Sequence, residues 1–256
     1  THKPIGNRFL ETRRVIEAAR DSGRMSHLLA WSDMPWMPLV KQWIDAGAIG
    51  ALREIHNWSH RPVWPQGTPV LPEPEPVPKD FDWNLWLGPV PHRPYSHHYT
   101  HAVFRGWHDF GSGPLGDMGH YSLWAVHNEF NLGYPEWIEA NASRTVAVVN
   151  GVSRKQKNEV SFPHASTIRF RHPARKGRGP VDLYWYDGGM RPPTPEELLE
   201  KDEALNDEGM MFVGDQGKIL GTYHGRDARI ISGKSAKALG LPEVPGKQPM
   251  EVAVSI

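Results

Sequence analysis

The sequence predicts an α+β fold: a large, mostly antiparallel open sheet with helices on one face. Apolar residues recur at helical spacing mainly before residue 131, whereas strand signals dominate after Pro135. A turn at Asp215-Gln-Gly217 between two short apolar runs adds a hairpin to the strand-rich half. With 256 residues, 39% of them apolar, the chain can bury one large core or two small ones.

Residues 7–22 read as a helix, with Leu10, Val15, Ile16 and Ala19 near one stripe, Asn7 as its cap and Gly23 after its end. Residues 24–31 read as a short strand. Residues 36–46 read as a second helix, presenting Leu39, Val40, Trp43 and Ile44 and stopped at Gly47. Residues 51–60 alternate around Leu52, Ile55 and Trp58 as a strand. The opening helix–strand piece, residues 1–34, is expected to be the tail of a separate α/β domain that begins upstream, with residues 35–256 forming a second domain.

Seven prolines between Pro62 and Pro78 make 61–80 an extended, partly polyproline segment, expected as a surface loop, with a lid or subunit-contacting arm as the sharper reading. Residues 82–88 form a helical turn ended by Gly88-Pro89. Residues 114–131 form the second long helix, with Pro114 in its first turn and Leu115, Met118, Leu123, Val126 and Phe130 on its apolar side. Strands follow at 137–149, 164–171 and 181–187, and the hairpin pairs 210–214 with 218–223. Residues 195–202 make a short helix capped by Thr194.

Composition narrows the function classes. Lys plus Arg equals Asp plus Glu at 29 each, which argues against a nucleic-acid partner. No run of 18 apolar residues is present, so no membrane span or membrane partner is expected. Cysteine is absent, which removes disulfides, thiolate nucleophiles and Cys-based zinc sites. Tryptophan is abundant at 11 copies, which points to an aromatic-packed core ahead of a flat sugar-stacking surface.

Three places could carry chemistry. The first is Lys3-Pro4, where proline restrains the preceding backbone and can aim the ammonium. The second is the glycine-rich run from Phe110 to Tyr121. On a helix, His120 at i+3 and Tyr121 at i+4 share a side with Asp117, a general acid/base arrangement. Gly111, Gly113 and Gly116 have G-x-G-x-x-G form but lack a preceding strand, which excludes a dinucleotide fingerprint. The third runs from Tyr95 to His108. Its His97, His98 and His101 have metal-like spacing but no fixed ligand set, so no metal is expected. Tyr95, His101, Arg105 and Trp107 read instead as a pocket wall for a hydroxylated ligand.

In order along the chain, these motifs resemble the Gfo/Idh/MocA oxidoreductases, the glucose-fructose oxidoreductase and inositol dehydrogenase family. Lys3-Pro4 resembles its (E)KP motif. Lys41 to Ile55 is similar to its helix, G-x-I-G, strand entry into the second domain. Asp82-Trp-Asn-Leu-Trp-Leu-Gly-Pro89, Arg93-Pro-Tyr95 and Trp107 to Tyr121 resemble further motifs of a subgroup.

The resemblance implies that residues 1–34 end a Rossmann-like domain holding NAD or NADP, with Lys3 and Pro4 at the cofactor side. It implies hydride transfer between that cofactor and a hydroxyl-bearing carbon of a sugar, cyclitol or related polyol. Lys3 matches the catalytic lysine and Asp117 the motif's aspartate. The family usually has His four residues after that aspartate. Here Tyr121 stands there and His120 one earlier, so either could be the acid/base. His2 replaces the usual glutamate before Lys3. The resemblance also implies a homodimer or homotetramer through the open sheet. Two alternatives share the motifs: an NAD-dependent glycosidase of the same fold, and a non-catalytic sugar-binding protein. A cytoplasmic location is expected, with a periplasmic or secreted one as the alternative.

Overall fold

The computed structural model describes residues 2–27 and 36–243. Its centre is a seven-stranded sheet in the order β2-β5-β6-β1-β7-β8-β9. The strands are β1 (Leu52–Trp58), β2 (Trp137–Ala142), β5 (Ser166–His172), β6 (Val181–Tyr186), β7 (Gly209–Gly214), β8 (Lys218–Gly221) and β9 (Arg229–Ser232). Only β1 and β6 pair in parallel, so the sheet is mostly antiparallel as the sequence predicts.

One face of the sheet carries the main core. Ile55, Leu183, Trp185, Phe212 and Ile219 pack there against α2 (Met37–Asp45) and α4 (His120–Glu129). Helix α2 forms because Met37, Val40, Trp43 and Ile44 fall on one stripe and Pro38 suits its first turn. On the other face Trp58 and Met211 pack under Leu198 of α5 (Glu196–Leu199) and Leu205. Strand β1 is therefore covered on both sides. Its polar members His56 and Asn57 are buried and hydrogen-bonded, the former to Tyr186 and Glu54, the latter to the Gly209 and Tyr223 carbonyls.

Several expectations need correction. Helix α1 (Phe9–Asp21) has Arg8 at its cap position and no side-chain cap; Asn7 lies one residue too early, and its amide donates to the Asp109 carbonyl, 3.0 Å away. Its apolar stripe, including Leu10, Val15 and Ile16, is exposed. Residues 24–27 are not a strand, and 28–31 lie outside the described residues. The predicted strand 137–149 divides into β2 and β3 (Val146–Val149), which pairs with β4 (Val152–Lys155) in a separate hairpin. At the break, Ser143 and Thr145 bond to Ala165 and Gly67, which diverts the chain from the sheet. Helix α5 follows Pro195, without a Thr194 cap. The proline-rich segment has no regular structure. Its first part is tied down by Trp64 and Gln66, both buried, and by Gly67, whose amide donates to the Phe162 carbonyl.

His127 of α4 meets His172 of β5 edge-on, ring centroids 5.4 Å apart. Burial, reinforced by His127, lowers His172 from 6.5 to about 4, and burial also lowers His127. The unfolded chain thus takes up protons that the folded chain refuses. Stability is full above about pH 6.5 and is lost as pH falls toward about 4, by roughly 3 kcal/mol for His172. Denaturant unfolding across that window should show this loss, and His172→Gln should flatten it. Equal slopes for the two proteins would contradict the assignment.

Candidate functional site

The site is built where the amino-terminal segment meets the middle of the chain. The short helix α3 (Trp83–Leu87) is capped by Asp82, which accepts from the Leu85 amide at 2.9 Å. It starts an aromatic cluster of Trp83, Leu87, Tyr95, Tyr99 and Trp107, with Phe81 and Phe110 at its border. The indoles are pinned as well as packed: Trp83 donates to the Arg93 carbonyl at 2.7 Å, Trp107 to His98 at 2.7 Å and Trp86 to Tyr99 at 3.1 Å. Tryptophan here mostly holds loops in place.

That platform fixes the loop leading to Asp117. Gly111 approaches the backbone so closely that an added Cβ would stand 2.4 Å from the Arg105 carbonyl oxygen. Asp109 pairs with Arg93 and sits 3.9 Å from Arg8, holding the loop to the amino-terminal segment. The chain then enters a π-helical turn, Leu115–Gly119, before continuing as α4. A π turn holds more residues than the 3.6 of an α-helix, so the i+4 side chain stays aligned with i while i+3 falls away.

The consequence falls on the choice between His120 and Tyr121. Tyr121 lines a cavity of about 550 Å³, together with Lys3, Pro4, Arg105 and Asp117. His120 is not among the lining residues. Its ring lies against Trp124, centroids 5.7 Å apart, and its buried Nε2 has no partner among the described residues. Burial, and then the positive charge of Lys3, lower its pKa, which leaves a neutral imidazole at pH 7.

Lys3 reaches across to the turn although 114 positions separate it from Asp117. Its side chain is buried, and its ammonium donates to Asp117 Oδ1 at 2.8 Å and to the Asp117 carbonyl. Arg105 Nε donates to the same Oδ1 at 3.0 Å. The Lys3 ammonium also stands 4.2 Å from the Tyr121 ring centroid, a cation–π contact. The Lys3–Pro4 peptide bond is cis. An ammonium has three N–H donors. Two are committed to Asp117, which leaves one for a ligand.

The pocket wall read from the sequence is only partly there. Arg105 lines the cavity. Tyr95 and Trp107 are buried in the aromatic cluster, and His101 is exposed outside the lining. The apolar wall is supplied instead by Trp86, Val90, Phe104 and Phe110. Sequence reasoning missed these four. A signal was available in Trp86, the exposed member of a helix whose other tryptophan is core. No group of three or more His, Asp or Glu residues suited to a metal ion is present among the described residues. No helix among them is long and apolar enough to cross a membrane.

Comparison with known proteins finds one family model that matches part of the chain. Residues 47–150 match the model described as "Oxidoreductase family, C-terminal alpha/beta domain", which agrees with the resemblance read from the motifs. The match contains Arg105, Asp117 and Tyr121 but not Lys3. No curated protein matches the sequence. Solved structures resemble the chain at low identity. An NAD binding oxidoreductase from Klebsiella pneumoniae is 15% identical, with a TM-score of 0.46, covering 90% of this chain and 49% of that one. A super-repressor mutant of Gal80p from Saccharomyces cerevisiae is 13% identical, with a TM-score of 0.47, over 90% and 50%. An aldose-aldose oxidoreductase from Caulobacter crescentus, complexed with glycerol, is 14% identical, with a TM-score of 0.46, over 97% and 56%. The chain spans about half the length of these proteins.

Proposed function

We propose that the chain, whose residues 47–150 match the C-terminal α/β domain of an oxidoreductase family, is the substrate half of a nicotinamide-dependent dehydrogenase acting on a sugar, cyclitol or related polyol. The observation that carries this reading is the convergence of Lys3, Asp117 and Tyr121 on one cavity.

The cavity suits such a ligand. Trp86, Phe104 and Phe110 offer flat apolar surface for ring C–H groups, while Lys3, Arg105, Asn7 and Asp117 offer polar heads for hydroxyls. Lys3 and Pro4, which line the cavity, would be the residues facing the nicotinamide ring. When bound, the cofactor would supply the hydride acceptor.

The chain's own residues do the rest. The remaining Lys3 donor binds the reacting oxygen and stabilises negative charge as it develops. Asp117, held by Arg105, fixes where that ammonium points. The Tyr121 oxygen, beside Lys3, acts as phenolate to receive the proton from the substrate hydroxyl in oxidation, and as phenol returns it in reduction. His120, neutral and outside the lining, is assigned no proton transfer.

Tyr121→Phe tests this assignment. Phenylalanine keeps the ring face under Lys3 and removes only the hydroxyl. In the full-length protein, kcat should fall by about 10²-fold or more with KM little changed. Unchanged kcat would remove Tyr121 from the mechanism. Cofactor retained through turnover with no net reduced nicotinamide would favour the glycosidase reading.

A further inference from the structure

We infer that Tyr223 is a positioning residue for the site: its hydroxyl holds the Met118 carbonyl of the π turn and so sets the helix face that carries Asp117 and Tyr121. The functional weight of this role rests on the reading proposed above, while the contact itself stands on geometry.

A π turn interrupts the regular i→i−4 ladder, and a buried carbonyl displaced from that ladder needs another donor. The Met118 carbonyl has one in the Tyr223 hydroxyl, 2.6 Å away. Tyr223 is buried and absent from the cavity lining, so its effect on a ligand is indirect.

Its anchor is the sheet. The Tyr223 carbonyl accepts from Asn57 of β1 at 3.0 Å, and Asn57 also donates to the Gly209 carbonyl of β7 at 2.9 Å. Ser122, in the first turn of α4, donates to Asn57 Oδ1 at 2.5 Å. The Tyr223 ring meets Trp185 of β6 edge-on at 6.4 Å. A buried polar chain thus runs from the central strands to the turn, and every member is hydrogen-bonded.

Without the Tyr223 hydroxyl, the Met118 carbonyl loses its donor from the sheet side and keeps only the His120 amide at the end of the turn. The turn can regain one by closing to α spacing. That closure rotates Asp117 relative to Tyr121 and draws it off Lys3.

The readout is therefore Lys3 itself, which is buried and paired with Asp117. Acetylation of the folded full-length protein by an amine-reactive ester, followed by peptide mass spectrometry, gives its rate against that of exposed Lys155. Asp117→Asn defines the rate for a Lys3 without its carboxylate. Tyr223→Phe keeps the ring packing and should raise the Lys3 rate by about tenfold, toward that benchmark, with Lys155 unchanged. Ser122→Ala leaves the Tyr223-to-Met118 bond in place but removes contacts to Asn57 and the Gly119 carbonyl, and should raise the Lys3 rate less than Tyr223→Phe does. A wild-type Lys3 rate in Tyr223→Phe would overturn the proposal, as would an equal rise in Ser122→Ala. In turnover, Tyr223→Phe should lower kcat by about tenfold with cofactor KM unchanged. If wild type transfers no hydride, the functional reading fails, and the acetylation rates still decide the role of Tyr223.

Discussion

Asp117→Asn is expected to damage both stability and turnover more than any other substitution at the site. Asparagine keeps the shape and removes the charge. Lys3 and Arg105, which both donate to Asp117 Oδ1, are then left as adjacent cations without an anion. The Lys3 and Asp117 side chains are 4% and 13% exposed, so water compensates little. Breaking such a pair from one side costs about 3–5 kcal/mol. Turnover in the full-length protein should fall by about 10²–10⁴-fold, because the reacting oxygen loses its aimed donor. Denaturant unfolding and steady-state kinetics measure the two effects. Asp109→Asn is the comparison, since that carboxylate is 38% exposed and its pairs should be worth about 1 kcal/mol or less. If the two variants cost the same, the buried pair is not a special feature of the site.

Lys3→Met should separate stability from catalysis. Methionine fills much of the lysine stem and removes the ammonium, while Asp117 keeps Arg105 as its partner. The stability loss should therefore be smaller than for Asp117→Asn, about 1–3 kcal/mol. The catalytic loss should remain large, about 10²–10³-fold in kcat/KM, since a donor aimed at developing negative charge is gone. A variant that unfolds as easily as Asp117→Asn yet turns over normally would invert this order and assign Lys3 a structural role.

Much of the fold was legible because its signals are local. The stripe of α2, the helical turn of α3 stopped at Gly88 and the β7–β8 hairpin each follow from a few neighbouring residues. The parallel pairing of β1 with β6 was not legible, because the two strands lie more than a hundred residues apart and nothing local names the partner. The break between β2 and β3 was hidden for a similar reason. Ser143 and Thr145 look like ordinary strand residues until Ala165 and Gly67 arrive to bond them.

At the site, Lys3, Asp117 and Tyr121 could be named from spacing and resemblance, and the structure brings them together. The π turn could not be read from neighbouring residues, and Tyr223, which bonds its Met118 carbonyl, lies 105 positions away. Yet that turn is what favours Tyr121 over His120. Tyr95 and Trp107 were misplaced because aromatic and polar composition does not reveal which face of a loop meets the core.

The most direct test is a double-mutant cycle on kcat/KM for nicotinamide reduction by the full-length protein, using Lys3→Met, Asp117→Asn and the pair together. If the ammonium and the carboxylate act as one unit on one reacting oxygen, the double variant should be no slower than the worse single variant. Losses that multiply would mean that the two groups serve separate ends, and the shared site would not exist.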